Sequence, residues 1–253
     1  MISKSQIKQI QQLSQKKFRD MTGLFVAEGF KLVTELTGYF EPVYLACTAQ
    51  RSKEFTHLTG RTVTVVSTEE MARISLQKTP QGVLAVFKKK TDSFPDDIFS
   101  QQLCLALDDI QDPGNLGTII RIADWFGIHN IFCSKNCADP FGPKTVQSTM
   151  GALARVKIHT VDLDVFLGSV HHEIPVYGTF MDGDSIYSEQ LSANGIIVMG
   201  NEGNGISGKI EKSVSKRLLI PSFPPESPTS ESLNVAVATA LICAEFRRRE
   251  RDN

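Results

Sequence analysis

Asn115 with Arg121, Asn201, Glu202 and Asn204, and Ser232 with Asn234 are the side chains whose types and spacing could do chemistry in this sequence. Each set lies in or beside a turn-rich loop: QDPGNLG, GNEGNG, and the proline-rich IPSFPPESPTSESLN. Amides, hydroxyls and one carboxylate among glycines suit a ligand held by hydrogen bonds, many of them to backbone. Glycine allows this because it tolerates φ > 0 and lets the chain approach closely. Read alone, IIVMGNEGNGI fits equally a ligand at a strand's carboxyl end or a tight strand-to-helix loop. Arg121 interrupts an apolar run of Ile119, Ile120 and Ile122. It is read as partly buried near its loop, where it would need a carboxylate or an anionic ligand, against the plainer reading of an exposed helix arginine.

Several chemistries are excluded. GNEGNG lacks the Lys-Ser/Thr of a phosphate-binding P-loop, and its spacing is not the dinucleotide fingerprint. No Ser/His/Asp or Cys/His set assembles, and His171 and His172 read as solvated. Cys133 and Cys137 have no partner pair at zinc spacing, so no metal is expected. Five cysteines in 253 residues argue against a disulfide scaffold. The polar, basic N-terminus does not read as a secretion signal, and no apolar run is long enough to span a bilayer, so a cytoplasmic protein is expected.

The elements that must position these loops come in two groups. In the first, Ser3–Gln15 is amphipathic, and helix-spaced residues run from Phe30 towards Gly38. Leu24–Ala27, Val43–Cys47, Thr62–Val66 and Gly82–Phe87 read as strands, and Thr68–Ile74 as a helix with Glu69 and Glu70 in its first turn. This predicts a small α/β domain over 1–90. KKKTDSFPDDIFS switches from basic to acidic and makes 91–101 the candidate linker. In 102–253, apolar strands at Leu103–Leu107, Ile131–Cys133, Val176–Phe180, Ile196–Met199 and Leu218–Ile220 alternate with helices. The last helix spans Leu233–Arg249 and is read as capped by Ser230 or Ser232. That alternation predicts a mainly parallel sheet with helices on both faces.

Charge divides the same way. Met1–Lys90 holds 14 Lys and Arg against 7 Asp and Glu, a net of +7, while the remainder carries a net of −8. A basic module on an acidic body suits docking to a polyanion, although a chance excess of solvated lysines would look the same.

The three loops together resemble the three motifs of the SpoU (TrmH-like) family of RNA ribose 2′-O-methyltransferases. LDDIQDPGNLGTIIRIADWFGI resembles the first, with Asn115 and Arg121 on its two polar positions. IVMGNEGNGIS resembles the second, with Glu202 on its acidic position. LLIP followed by SESLNVAVATALICAEF resembles the third, with Ser232 and Asn234 matching. ADPFGPKTVQSTMGAL is also similar, and KKFRDMTGLFVAEGFKLVTEL resembles a substrate-binding extension of ribosomal-protein-L30e-like fold. The resemblance spans nearly the whole chain. The family's usual methionine and glycine are replaced in SFPPESPTSE by a longer, proline-rich segment.

The resemblance implies a SPOUT fold with a deep trefoil knot, which composition could never suggest. It implies S-adenosyl-L-methionine as methyl donor, held mainly by backbone at Thr179, Gly200, Asn201, Gly203, Ile220 and Leu233. It implies catalytic roles for Asn115, Arg121, Glu202, Ser232 and Asn234. A guanidinium stays protonated, so Arg121 is read as a clamp on the RNA phosphate and developing alkoxide, with Asn115 and Glu202 orienting it. RNA, not DNA, is the expected partner, with rRNA favoured over tRNA, through Lys16, Lys17, Arg19, Glu28 and Lys31 of the basic module. A homodimer without membrane contact is implied. The competing readings are a tRNA methyltransferase, a catalytically silent RNA-binding protein of the same fold, and a nucleotide-binding enzyme using GNEGNG.

Overall fold

The structure, a computed structural model, describes residues 2–59, 62–90, 93–95, 97–224 and 232–252. Its contacts divide the chain into two units, Met1–Thr91 with Asp139–Ala154, and Asp92–Ala138 with Arg155–Asn253.

The first unit begins with two helices, α1 (Lys4–Gln12) and α2 (Lys16–Thr22). A capping box between Ser3 and Gln6 starts α1, and Gly23 in the left-handed region ends α2. The single amphipathic helix expected over Ser3–Gln15 is therefore shorter, and a second helix follows it. There follow β1 (Leu24–Glu28), α3 (Phe30–Thr37), β2 (Pro42–Thr48), α4 (Ala49–Thr59), β3 (Thr64–Val66), α5 (Thr68–Ile74) and β4 (Val83–Lys88). The strands form one sheet in the order β1-β4-β2-β3, with β1 and β2 antiparallel to β4 and β3 parallel to β2. Side chains alternate across it. Val26, Leu84 and Val86 face α1 and α5 residues such as Ile10, Leu13, Met71 and Ile74. Phe25 and Phe87 meet Phe40 on the other face, where Phe141 joins them.

Two residues expected to touch RNA have other partners. Arg19 is 4% exposed. Its Nε and Nη2 donate to Asp139 Oδ2 at 2.8 and 2.6 Å, and Nη1 donates to the Leu13 carbonyl at 2.7 Å. Glu28 is 3% exposed and accepts from Ser75 Oγ at 2.5 Å and the Leu76 N–H at 2.7 Å. Burial raises its pKa above the ordinary glutamate value, and those two hydrogen bonds pull the other way. Both charges tie segments of the unit together, which corrects their reading as surface contacts. Lys16, Lys17 and Lys31 are exposed, and Lys16 pairs with Asp20 one turn on.

The second unit opens with α6 (Ile98–Gln101), whose Ile98 and Phe99 join its core although the stretch reads as linker. Next come β5 (Leu103–Leu107), α7 (Pro113–Trp125) and β6 (Asn130–Ser134). The chain then contributes Asp139–Ala154, with α8 (Pro143–Ser148), to the first unit. It returns through β7 (Lys157–Val161), α9 (Leu163–Gly168), β8 (Val176–Ser185), β9 (Gly195–Met199), α10 (Gly208–Glu211), β10 (Lys216–Leu219) and α11 (Val235–Asp252). The sheet order is β10-β8-β9-β5-β6-β7, and every pairing is parallel. β5 and β9 are buried along their whole length, as central parallel strands covered on both faces must be. Cys104, Ala106, Ile196 and Val198 face α9 and α10 through Leu163, Leu167 and Ile210, while α7 and α11 pack on each other.

Because all six strands run the same way, the loops after β10, β8, β9 and β5 emerge side by side at one edge. Those loops carry almost all of the polar residues singled out from the sequence.

Candidate active site

The loop after β5 leads into α7 through Asp112, whose Oδ1 accepts from the Asn115 N–H at 2.8 Å. Pro113 occupies the first helical position, where its fixed φ suits the turn and its missing N–H costs nothing. Asn115 is thereby held in the first turn of α7.

The loop after β9 closes on itself. Asn201 and Gly205 exchange backbone hydrogen bonds at 3.0 and 2.9 Å. Asn201 Oδ1 accepts from the Gly203 and Asn204 N–H groups at 2.9 and 3.2 Å. Its Nδ2 donates to the Asp109 carbonyl at 2.8 Å. Asp108, a buried carboxylate, accepts from the Ser207 N–H at 2.8 Å. The glycine turn is therefore bolted to the loop after β5 at two points. Asn201's side chain is committed to this brace through both Oδ1 and Nδ2. Asp108 directly follows the apolar run of β5, but its pairing with Ser207 spans 99 positions and has no sequence signal.

Gly200 is required sterically. A Cβ there would lie 2.3 Å from the Gly205 carbonyl carbon and 2.4 Å from the Ile206 nitrogen. Gly200→Ala is expected to force the turn open, costing about 1–3 kcal/mol of stability and at least tenfold in cofactor affinity. Thermal unfolding and calorimetric titration check both, and unchanged affinity would show that this turn does not shape the ligand site.

Glu202, at the tip of the turn, accepts three hydrogen bonds on Oε1. They come from Asn115 Nδ2 at 2.9 Å, Asn234 Nδ2 at 2.5 Å and the Val235 N–H at 3.2 Å. Asn234 Nδ2 also donates to Asn115 Oδ1 at 3.1 Å. Asn115, Glu202 and Asn234 thus form a closed triangle from three segments far apart in sequence. Asn234 caps α11, its Oδ1 accepting from the Ala236 and Val237 N–H groups at 3.0 and 3.3 Å. The cap expected at Ser230 or Ser232 is corrected to Asn234: the helix starts at Val235, Ser232 is exposed, and Ser230 lies outside the described residues. Both α7 and α11 point their N-termini at Glu202, so two helix dipoles favour its negative charge.

Arg121 stands apart. It is exposed on α7 and, among the described residues, makes no hydrogen bond to the triangle. Six positions along a helix turn it about 120° from Asn115 and some 9 Å along the axis, so the partial burial expected of it is not found. It shares its face with Trp125 one turn on, which is 84% exposed. Ser232 is likewise exposed and outside the triangle.

At the neighbouring strand ends, β8 pairs with β10 until the register jumps from Gly178 to Asp184, leaving residues 179–183 outside the regular ladder. Thr179 Oγ1 donates to the Val198 carbonyl at 3.4 Å. The Arg217 guanidinium sits 3.6 Å from the Phe180 ring centroid and pairs with Asp182 and Glu211, a clasp that periodicity did not reveal. Half-buried Ile220 and exposed Leu233 add apolar surface at the same edge.

A parallel α/β sheet whose adjacent carboxyl ends carry a glycine turn, an apolar lip and a braced carboxylate defines an enzyme that holds a small ligand largely by backbone. The chain belongs to the SpoU rRNA methylase family, whose model matches residues 102–244, and the MRM3-like substrate binding domain matches residues 4–85. It is 28% identical to the 23S rRNA (guanosine(2553)-2′-O)-methyltransferase RlmP of Bacillus subtilis over 95% of each chain. A solved structure of a putative RNA methyltransferase of the TrmH family from Porphyromonas gingivalis is 40% identical, covering 98% of this chain and 99% of that one, with a TM-score of 0.89. An AdoMet-bound rRNA methyltransferase from Sinorhizobium meliloti is 29% identical over 98% and 96%, with a TM-score of 0.83.

The chain is accordingly an RNA methyltransferase that uses S-adenosyl-L-methionine. Its residues fit that donor. The Gly200 turn leaves backbone groups without side-chain bulk, Ile220 and Leu233 offer apolar surface to an adenine, and a carboxylate stands where a polyphosphate site would need a lysine.

Proposed function

We propose that this protein methylates a ribose 2′-hydroxyl of 23S-type ribosomal RNA, acting in the cytoplasm as a homodimer. The observation that carries the reading is the Asn115–Glu202–Asn234 triangle beside the glycine turn. S-adenosyl-L-methionine supplies an electrophilic methyl group on sulfur. Gly200, Gly203, Ile220 and Leu233, with the backbone of Asn201 and the strand end at Thr179, hold it in place. Asn115, Glu202 and Asn234 form a rigid polar floor, so groups meeting it need not reorganise. Glu202 Oε2, without a partner among the described residues, is the open acceptor towards Arg121. The Arg121 guanidinium stabilises the phosphate and the developing alkoxide, the 2′-hydroxyl proton leaving to solvent water. Ser232 hydrogen-bonds substrate or donor.

Arg121 reaches such a site across a dimer interface. It shares an exposed face of α7 with Trp125, and α11, packed beside α7, exposes Val237 and Leu241 one turn apart. An apolar patch of this kind is what a second copy would cover. The name of the Bacillus subtilis relative favours 23S rRNA over tRNA. The basic first unit supplies phosphate contacts through Lys16, Lys17 and Lys31.

Mapping ribose methylation in total RNA from cells with and without the protein tests this directly. The expected result is loss of one 2′-O-methyl mark in large-subunit rRNA. A lost mark in tRNA would redirect the substrate. Unchanged RNA, with no heat on adding S-adenosylmethionine, would leave a silent RNA-binding protein.

A further inference from the structure

Away from the catalytic loops, the first unit contains a cavity of about 440 Å³. Its origin lies in how two short helices cover one sheet face. Ile10 and Leu13 pack over Val26, Ala46, Leu84 and Val86, but α1 stops at Gln12 and α2 starts only at Lys16. The strip of sheet at Leu24, Tyr44 and Val86 is left as the floor of a hollow. Phe18 and Met21 of α2 form one wall, and Gln9 and Gln12 of α1 bring amide groups to another.

The volume lies within the roughly 300–1,000 Å³ of small-ligand pockets. An aromatic and thioether wall suits the flat face of an unstacked base, while a glutamine amide presents a donor and an acceptor to a base edge. Charge around the hollow matches a nucleic-acid backbone. Lys8 stands one turn before Gln12 on α1, and Lys17 one turn before Met21 on α2; both are exposed. Among the described residues neither is in an ion pair. Asp20, on the same helix as Met21, is already paired by Lys16 and Lys89, and Glu41, just before β2, by Lys88.

We propose that this cavity receives one unpaired RNA base, with phosphates on either side of it held by Lys8 and Lys17. The proposal rests on the RNA-methyltransferase reading and adds the chemical form of RNA that the first unit selects. A base captured here would make single-stranded or bulged RNA bind in preference to continuous duplex.

The test uses the full chain, a short fluorescent single-stranded RNA and a blunt-ended RNA duplex of similar length. Val43→Trp places a large ring at the exposed lip, and Met21→Ala removes one wall at the surface. Each is expected to weaken single-strand binding at least fivefold, on the order of one lost base stack. Duplex binding, S-adenosylmethionine binding and the thermal unfolding midpoints should stay at wild-type values, the midpoints showing that the chain remains folded. Unchanged single-strand affinity in both variants, or equal losses for both RNAs, would overturn the pocket while leaving RNA binding in place. Wild-type protein that binds neither RNA would overturn the RNA reading of this unit itself.

Discussion

Arg121→Ala is expected to lower methyl transfer by at least a hundredfold, the scale on which single electrostatic contacts to developing charge act. S-adenosylmethionine affinity and thermal stability should remain those of the wild type. Arg121 is exposed and braces nothing among the described residues, so its removal leaves no unpaired partner and no cavity. A loss of donor binding with residual turnover would place Arg121 in the cofactor site. The proposed dimer makes a sharper version available. Arg121→Ala and Asn234→Ala protomers, each inactive alone, should regain activity when co-expressed, because one mixed site would hold an intact arginine and an intact asparagine. No recovery would place both groups in the same protomer's site.

Arg19→Ala is expected to cost about 3–5 kcal/mol, the penalty for leaving a buried charge without its partner. That is a large share of the roughly 5–15 kcal/mol by which a domain is stable. Three guanidinium N–H groups are used by Asp139 and the Leu13 carbonyl, and the side chains of Arg19 and Asp139 are 5% and 11% exposed. Asp139 is itself committed, accepting from the Phe141 N–H at 2.9 Å through its other oxygen. Urea unfolding measures the loss. Arg19→Met combined with Asp139→Leu should recover most of it, since an apolar pair of similar volume needs no compensating charge. If Arg19→Ala instead weakened RNA binding at unchanged stability, Arg19 would return to the RNA surface.

The KKFRD motif shows where sequence reading loses its grip. Three cations in four residues look alike in a composition count, yet Lys16 and Lys17 are exposed while Arg19 is locked inward. The difference comes from Asp139, 120 positions away. Glu28 repeats the lesson, since its partners Ser75 and Leu76 are close to it only in the folded unit. The second helix over Lys16–Thr22 and the α4 helix carry weak apolar periodicity and leave little local signal, whereas Glu69 and Glu70 in its first turn mark α5 in the sequence.

By itself the sequence determined the class of the fold and marked the three segments of the candidate site. Fully buried parallel strands must be written as apolar runs, and loops that hold ligands by backbone must be written with glycine. Both constraints act locally and so leave a local signature. Only the tertiary structure decided which of the marked residues meet. Asn115, Glu202 and Asn234 come together because β5 and β9 lie side by side in one parallel sheet and α11 begins against their carboxyl ends. Arg121, six residues from Asn115, is turned to another face by the helical repeat. Strand order and helix phase depend on the whole packed core, and no single loop records them.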